Sequence, residues 1–186
     1  MTSNLMTDLI EKWHENKRPT YRFTLCLGDW RRQVPEEVRN LIFASAVNFC
    51  IEAKILEVVG YMMSTTKIRV ILDRKNSELQ HGLELFSSLV EEALTQYHHQ
   101  QRGLLSQHEK LSPAYTKSNL FRVTAFDNFR LARLITGRPV NPPYEDPYVQ
   151  RLKRYVNHSD YSSAVDYSGE IGPVNVVVKP PKYFNN

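Results

Sequence analysis

The chain has 186 residues, a length typical of one domain or of one domain with short extensions. Hydrophobic residues make up 41% of it and charged residues 24%, which is enough apolar material for a buried core. No apolar stretch approaches the roughly 18 residues of a membrane-spanning helix, and the first 19 residues are too polar and acidic for a signal peptide. Composition therefore predicts a cytoplasmic protein with no membrane partner.

The positive charge is concentrated in the second half of the sequence. Residues 1–100 contain 12 Lys and Arg against 13 Asp and Glu, whereas residues 101–186 contain 12 against 7. Most of this excess lies between Lys117 and Arg154. The asymmetry indicates a polyanionic partner, and the alternative is a basic surface that only water contacts.

The sequence contains no recognisable metal or cofactor motif. Cys26 and Cys50 each lie in an apolar run, as reduced buried thiols do, and His98 and His99 are adjacent rather than spaced for a shared metal ion. Glycine-rich phosphate loops and zinc-binding spacings are also missing from the sequence. We therefore predict no metal site and no cofactor.

The first predicted elements are a helical extension and a strand. Residues 1–18 have an apolar helical stripe that would dock on the domain or on a partner, and Arg18-Pro19 interrupts it. Residues 21–27 then alternate between apolar and other side chains, which predicts a half-buried strand. We interpret residues 19–170 as the main α+β domain and residues 171–186 as a C-terminal tail with a short β-prone run.

Two long helices and a hairpin follow. Residues 35–54 predict a helix that begins with a proline and two carboxylates. The helical pattern assigns the following residues to its core face: Val38, Leu41, Ile42, Ser45, Phe49 and Ala53. Residues 56–72 predict a β-hairpin with a turn at 64–66, and residues 76–101 predict the second helix, with Asn76 as its cap.

The last third of the chain contains shorter elements. Residues 120–126 predict either a strand or the start of a helix, residues 147–156 a helix, and residues 174–178 the β-prone run of the tail. The resulting order predicts a ferredoxin-like split βαβ fold. It would have an antiparallel sheet of four or five strands and two long helices on one face.

Three stretches in this order resemble a known family of enzymes. They are GYMMSTTKIRVIL, FRVTAFDNFRLARLITGRPV and HSDYSSAVDYSG. Together they resemble the catalytic domain of the one-tyrosine, paired-histidine (HUH-type) transposases, most closely the REP-associated tyrosine transposases. The resemblance spans about residues 20–170. It implies a DNA-binding α+β domain, and an unrelated ferredoxin-like domain is the alternative.

The chain departs from this family at the positions that carry its chemistry. The family's two histidines hold a divalent metal ion, but Lys67 and Arg69 occupy the matching positions, and neither is a metal ligand at neutral pH. Where the resemblance places the nucleophilic tyrosine, the chain has Phe126, and Tyr115 is the alternative nucleophile. The resemblance therefore implies a catalytically inactive relative without catalytic residues.

The candidate nucleic-acid-binding residues form two groups. Lys67 and Arg69 are two apart on a strand, so they share one face, and Arg22 joins them if its strand pairs in the right register. The alternative is an ordinary charged surface in which Asp73 or Glu57 pairs with these cations. The second group combines cations with interleaved tyrosines: Arg130, Arg133, Arg151, Lys153 and Arg154, with Tyr144, Tyr148, Tyr155, Tyr161 and Tyr167.

These residues predict a regulator or accessory factor that binds single-stranded or hairpin DNA. Aromatic rings among cations are typical of single-strand binding, although the tyrosines would equally pack the tail onto the domain. Two alternatives remain open. One is a protein-interaction module or homodimer without DNA binding, and the other is an active transposase or nuclease with rearranged catalytic residues.

Overall fold

The computed structural model of the protein describes residues 20–73, 79–104, 117–142 and 144–185. Its strands are β1 (Thr20–Leu27), β2 (Val58–Met63), β3 (Lys67–Asp73) and β4 (Phe121–Ala125). Its α-helices are α1 (Glu36–Glu52), α2 (Leu79–Leu104), α3 (Lys117–Leu120), α4 (Phe129–Leu134), α5 (Pro147–Asn157) and α6 (Ala164–Tyr167). Short 3-10 helices span Asp29–Arg32 and Pro181–Asn185. None of the helices in these ranges is long and apolar enough to cross a membrane.

The four strands form one antiparallel sheet in the order β2-β3-β1-β4. The chain order of strand, helix, hairpin, helix and strand, combined with this strand order, is the ferredoxin-like split βαβ arrangement. The predicted α+β fold is therefore confirmed, with four strands rather than five. For residues 120–126 the sequence predicted either a strand or the start of a helix, and the structure has strand β4 at Phe121–Ala125.

Helices α1 and α2 cover one face of the sheet. Alternate residues of β1 face them, and the apolar cluster between the layers includes Phe23, Leu25, Phe43 and Phe86. The rings of Phe43 and Phe86 lie 6.3 Å apart, at a distance typical of packed aromatic pairs. Because β1 alternates with period two, the residues between these apolar positions must face the opposite side of the sheet.

The predicted core face of α1 is only partly correct, because Val38 and Ile42 pack against the core but Leu41 and Phe49 do not. Leu41 is 57% exposed and Phe49 is 52% exposed, while Phe43 is buried in their place. The reason is that apolar side chains surround this helix, so their spacing does not select one face. The buried side also contains Arg39, which the predicted core face did not include. Its Nη1 donates a hydrogen bond to the Thr65 carbonyl at 2.8 Å.

Other predicted elements agree with the structure where it describes them. The helix predicted at residues 147–156 is α5, and the second long helix is α2, whose described part begins at Leu79. The N-terminal extension, the Asn76 cap and Tyr115 lie outside the described residues. The β-prone run at 174–178 forms no regular strand, although Val177 N donates a hydrogen bond to the Val58 carbonyl at 2.8 Å.

A second apolar cluster covers part of the opposite face of the sheet. It joins the sheet to α4, α5 and the C-terminal 3-10 helix through the following buried residues: Val59, Met62, Ile71, Phe126, Leu131, Ala132, Ile135, Val156 and Phe184. The covered part lies over β2 and the middle of β3. The polar part of this face, on β1, β4 and the start of β3, contains the candidate site.

The two phenylalanines of α1 provide a test of which helix face is buried. We expect Phe43→Ala to lower the free energy of unfolding by about 3–5 kcal/mol, because it removes a fully buried ring. The matched variant Phe49→Ala should change it by less than about 1 kcal/mol, because that ring is half exposed. Urea unfolding of the two variants measures both values. Equal losses would contradict the orientation of α1.

Candidate nucleic-acid interface

The register of the sheet brings cations of three strands onto one face. On β3, Arg69 lies opposite Thr24 of β1, and Lys67 lies opposite Cys26. Arg22 lies two residues before Thr24 on β1, so it faces the same side. The register condition for Arg22 is therefore met. On β4, Arg122 also lies opposite Cys26, so it shares this face. We call Arg22, Lys67, Arg69 and Arg122 the cationic sheet face.

The start of β3 is held in place by the hairpin turn and by α1. Ser64 N donates a hydrogen bond to the Lys67 carbonyl at 2.9 Å, and Leu27 N donates one to the Thr66 carbonyl at 3.0 Å. The Thr65 hydroxyl donates to Glu36 Oε2 at 2.9 Å, at the first turn of α1. These bonds position the backbone of Lys67 at the edge of the face.

Three of these cations have no side-chain partner. In the part of the chain that the structure describes, Lys67, Arg69 and Arg122 make no side-chain hydrogen bond or ion pair. Lys67 and Arg122 are exposed, whereas Arg69 is half-buried and its Nη1 is shielded from water without an acceptor. A donor that is shielded from water and has no acceptor raises the free energy of the folded protein. An anionic ligand at Arg69 would supply the missing acceptor.

The carboxylates at the far end of β3 are occupied by the C-terminal tail. Lys179 Nζ forms ion pairs with Glu57 and, at 3.0 Å, with Asp73, and the Tyr183 hydroxyl donates to Asp73 at 2.6 Å. Burial alone would lower the pKa of Lys179, but its hydrogen bonds to these two carboxylates raise it above the usual value. Among the described residues, neither Asp73 nor Glu57 forms an ion pair with Lys67 or Arg69.

The predicted arginines of α4 are partly engaged within the protein. Arg130 forms an ion pair with Asp146 at 2.6 Å, and Asp146 caps α5 by accepting from Tyr148 N at 2.9 Å. Arg133 Nε donates to the Pro139 carbonyl at 3.0 Å, and its guanidinium lies over the Phe129 ring. Arg130 therefore offers less charge to a ligand than the sequence predicted.

Helix α5 places the remaining predicted cations beside exposed rings. Its inner side is formed by Val149, Val156 and the half-buried Leu152, so Arg151 and Arg154 face solvent, and Lys153 is half-buried. Tyr148 is 41% exposed and Tyr155 is 43% exposed. These two tyrosines are seven positions apart and Arg151 lies between them, so all three share one helix face.

The predicted tyrosine set divides between two roles. Tyr144, Tyr148 and Tyr155 are exposed, whereas Tyr161 and Tyr167 are half-buried. Tyr148 is partly engaged, because its hydroxyl accepts a hydrogen bond from Asn128 Nδ2 at 2.7 Å and the Arg130 guanidinium lies over its ring. The Tyr167 hydroxyl donates to the Val59 carbonyl at 2.8 Å and accepts from Lys179 N at 3.2 Å. The C-terminal members of the set therefore attach the tail to the domain, as the structural alternative predicted.

The positions that the resemblance aligns with the family's metal ligands and nucleophile carry Lys67, Arg69 and Phe126. Phe126 follows β4 and is buried in the second apolar cluster, with only 6% of its surface exposed. No group of three or more His, Cys, Asp or Glu side chains in the described ranges is arranged to hold a metal ion.

Two cations near the site, Arg122 and Arg138, are not among the predicted site residues. Arg122 could have been found from the alternation of β4, in which Arg122 and Thr124 pair with alternate residues of β1. Arg138 gave no such signal, because only the three-dimensional packing buries it. Burial, followed by the nearby charges of Arg22 and Arg133, lowers the pKa of Arg138 to about 10. Arg138 thus lies close to a member of each predicted group.

Comparisons with protein-family models, with curated proteins and with solved structures find no match for this chain. The resemblance to the HUH-type transposases therefore rests on the quoted stretches of sequence.

Proposed function

We propose that the protein binds nucleic acid through the cationic sheet face, as a catalytically inactive relative of the HUH-type transposases. Single-stranded or hairpin DNA is the proposed ligand, and a regulatory or accessory role is the proposed function. The observation that carries the proposal is that Lys67, Arg69 and Arg122 share one sheet face and have no side-chain partner among the described residues. Cations in this arrangement attract a phosphate backbone.

The exposed tyrosines support a single-stranded ligand. Bases that are not paired present their flat faces, and aromatic side chains stack on them regardless of sequence. Tyr148 and Tyr155 offer such faces on α5, with Arg151 between them to attract phosphate. Continuous duplex DNA has no free base faces, so these rings would add nothing to duplex binding.

The side chains at the family's catalytic positions support binding without cleavage. Lys67 and Arg69 attract phosphate, but they cannot hold a metal ion that polarises it. Phe126 has no hydroxyl and is buried under α4. We therefore propose that the protein is not an enzyme.

A protein-interaction module is the second candidate function. Leu41 and Phe49 lie two helical turns apart on the outer side of α1, and both are more than half exposed. Paired apolar side chains of this kind suit a protein partner or a second copy of the chain. A module without DNA affinity would show no DNA binding at low salt, so the measurement below separates the two candidates.

The salt dependence of binding tests the cationic sheet face. We expect Lys67→Ala combined with Arg69→Ala to flatten the slope of log K against log salt. The change should be about 1.4 for single-stranded DNA or about 1.8 for duplex, since each lost phosphate contact removes about 0.7 or 0.9. Affinity should fall equally for all sequences, because phosphate contacts carry no sequence information. Fluorescence anisotropy with labelled hairpin, single-stranded and duplex DNA over a salt series measures both quantities.

Lys54 provides the matched control. It is exposed and has a positive φ of 60° at the end of α1, so Lys54→Gly removes one charge without straining the backbone. This variant should leave the slope unchanged, whereas Arg122→Ala should flatten it by about 0.7–0.9. An unaltered slope in the Lys67 and Arg69 double variant would show that the sheet face does not contact DNA.

Incubation of the protein with DNA and divalent metal ions tests the proposed lack of catalysis. We expect no cleavage of hairpin or single-stranded DNA with Mg²⁺ or Mn²⁺, and no covalent adduct, because the matching positions carry Lys67, Arg69 and Phe126. Denaturing electrophoresis and intact-protein mass spectrometry detect the two products. A metal-dependent adduct that maps to Tyr115 would identify an active enzyme with a displaced nucleophile.

A further inference from the structure

Arg138 is a buried cation without a carboxylate partner. Only 3% of its surface is exposed, and its Nη2 has no hydrogen-bond acceptor. Its Nε donates to Thr136 Oγ1 at 3.0 Å, and no carboxylate of the described ranges pairs with it. Buried charges in proteins are normally paired, so an unpaired guanidinium indicates a group that the described residues do not supply.

The end of α4 fixes the position of Arg138. Gly137 has a φ of +64°, Gly137 N donates to the Leu134 carbonyl at 3.1 Å, and Arg138 N donates to the Arg133 carbonyl at 2.8 Å. These bonds form a Schellman motif, which ends the helix and turns the chain back. A side chain at residue 137 would also collide with the Tyr167 ring. The backbone therefore holds Arg138 beneath the helix rather than in solvent.

The surroundings of Arg138 are positively charged. Arg22 and Arg133 are close enough that their charges add to the effect of burial in lowering its pKa. The guanidinium also contacts the Phe184 ring, whose centroid lies 4.3 Å from the guanidinium carbon. A ring over the flat face of a guanidinium does not use the N–H donors, which point outward in the plane of the group. The free Nη2 is among these donors.

We propose that Arg138, with Arg22 and Arg133 beside it, forms an anion site that binds a phosphate monoester. This inference rests on the proposed function in one respect, namely that the ester is the phosphorylated end of a DNA strand whose backbone crosses the cationic sheet face. Arg22 belongs both to that face and to the surroundings of Arg138, so one strand would reach both.

The chemistry of the site favours a terminal phosphate over an internal one. A monoester carries close to two negative charges near neutral pH, whereas a phosphodiester carries one, and several guanidiniums favour the higher charge. Guanidinium groups also match the paired oxygens of a phosphate through parallel N–H bonds. Phe184 closes one side of Arg138, which suits a group at the end of a strand better than a strand that passes through.

The first experiment uses inorganic phosphate as the probe. We expect phosphate to raise the unfolding temperature of the full chain relative to chloride at equal ionic strength, because it binds only the folded protein. Arg138→Met should abolish this rise, while Arg151→Met, which removes an exposed cation of α5, should preserve it. In phosphate-free buffer Arg138→Met should unfold at or above the wild-type temperature, since an unpaired buried charge is removed. A lower temperature would instead indicate a structural role for Arg138.

The second experiment compares oligonucleotides of one sequence with a phosphate or a hydroxyl at the 5′ or 3′ end. We expect the wild-type protein to bind one phosphorylated form about tenfold more tightly. Arg138→Met and Arg138→Lys should lose this preference and still bind the unphosphorylated strand. Lys67→Ala with Arg69→Ala should weaken binding to both strands equally.

The two experiments distinguish the possible failures. A phosphate effect that depends on Arg138, without any oligonucleotide binding, would support the anion site as a receptor for free phosphate esters and overturn the proposed DNA function. Binding of DNA without a preference for phosphorylated ends, together with no effect of inorganic phosphate on the wild-type protein, would overturn the anion site. This last outcome needs no variant, so it does not depend on how the substituted proteins fold.

Discussion

The alternation of side chains along β1 is the constraint on which the rest of the structure depends. Phe23 and Leu25 face the two long helices, so Arg22, Thr24 and Cys26 must face the other way. β1 pairs with both β3 and β4. The residues of these two strands that lie opposite Thr24 and Cys26 are therefore on the same face. A slip of one residue in either pairing would turn the cations toward the apolar core, where no partner could compensate them. Burial of the hydrophobic core therefore also fixes the arrangement of the charged face.

On the sheet face opposite α1 and α2, the charged side chains lie in two regions. At the end of β3, the tail brings Lys179 to Asp73 and Glu57, so these two carboxylates share one cation where the tail attaches. At the start of β3 no described carboxylate approaches Lys67 or Arg69, and the cations there keep their charge for a ligand. The apolar cluster under α4 and α5 separates the two regions. The tail thus contributes to the proposed interface indirectly, because it occupies the acidic groups that would otherwise compete with phosphate.

The sequence predicted the fold well where one pattern dominated, and poorly where packing decided. The alternation of β1 and the hairpin at 58–72 identified the strands, and the spacing of Lys67 and Arg69 placed both on one face. The pattern of α1 did not identify the buried face, because apolar residues lie all around that helix. In addition, Arg39 is buried and donates a hydrogen bond to the hairpin turn. Arg138 could not be predicted at all. Its burial involves a helix end and the tail residue Phe184, which are distant from each other in sequence.

The reactivity of Cys26 tests most directly whether nucleic acid lies on the cationic sheet face. Cys26 is half-buried between Lys67 and Arg122, whereas Cys50 is fully buried and burial raises the pKa of its thiol to about 11. A neutral alkylating reagent should therefore modify Cys26 and spare Cys50, and mass spectrometry measures the rate at each site. We predict that single-stranded DNA slows the alkylation of Cys26 in proportion to the bound fraction, as measured by anisotropy in the same buffer. Alkylation at an unchanged rate on fully DNA-bound protein would contradict the account.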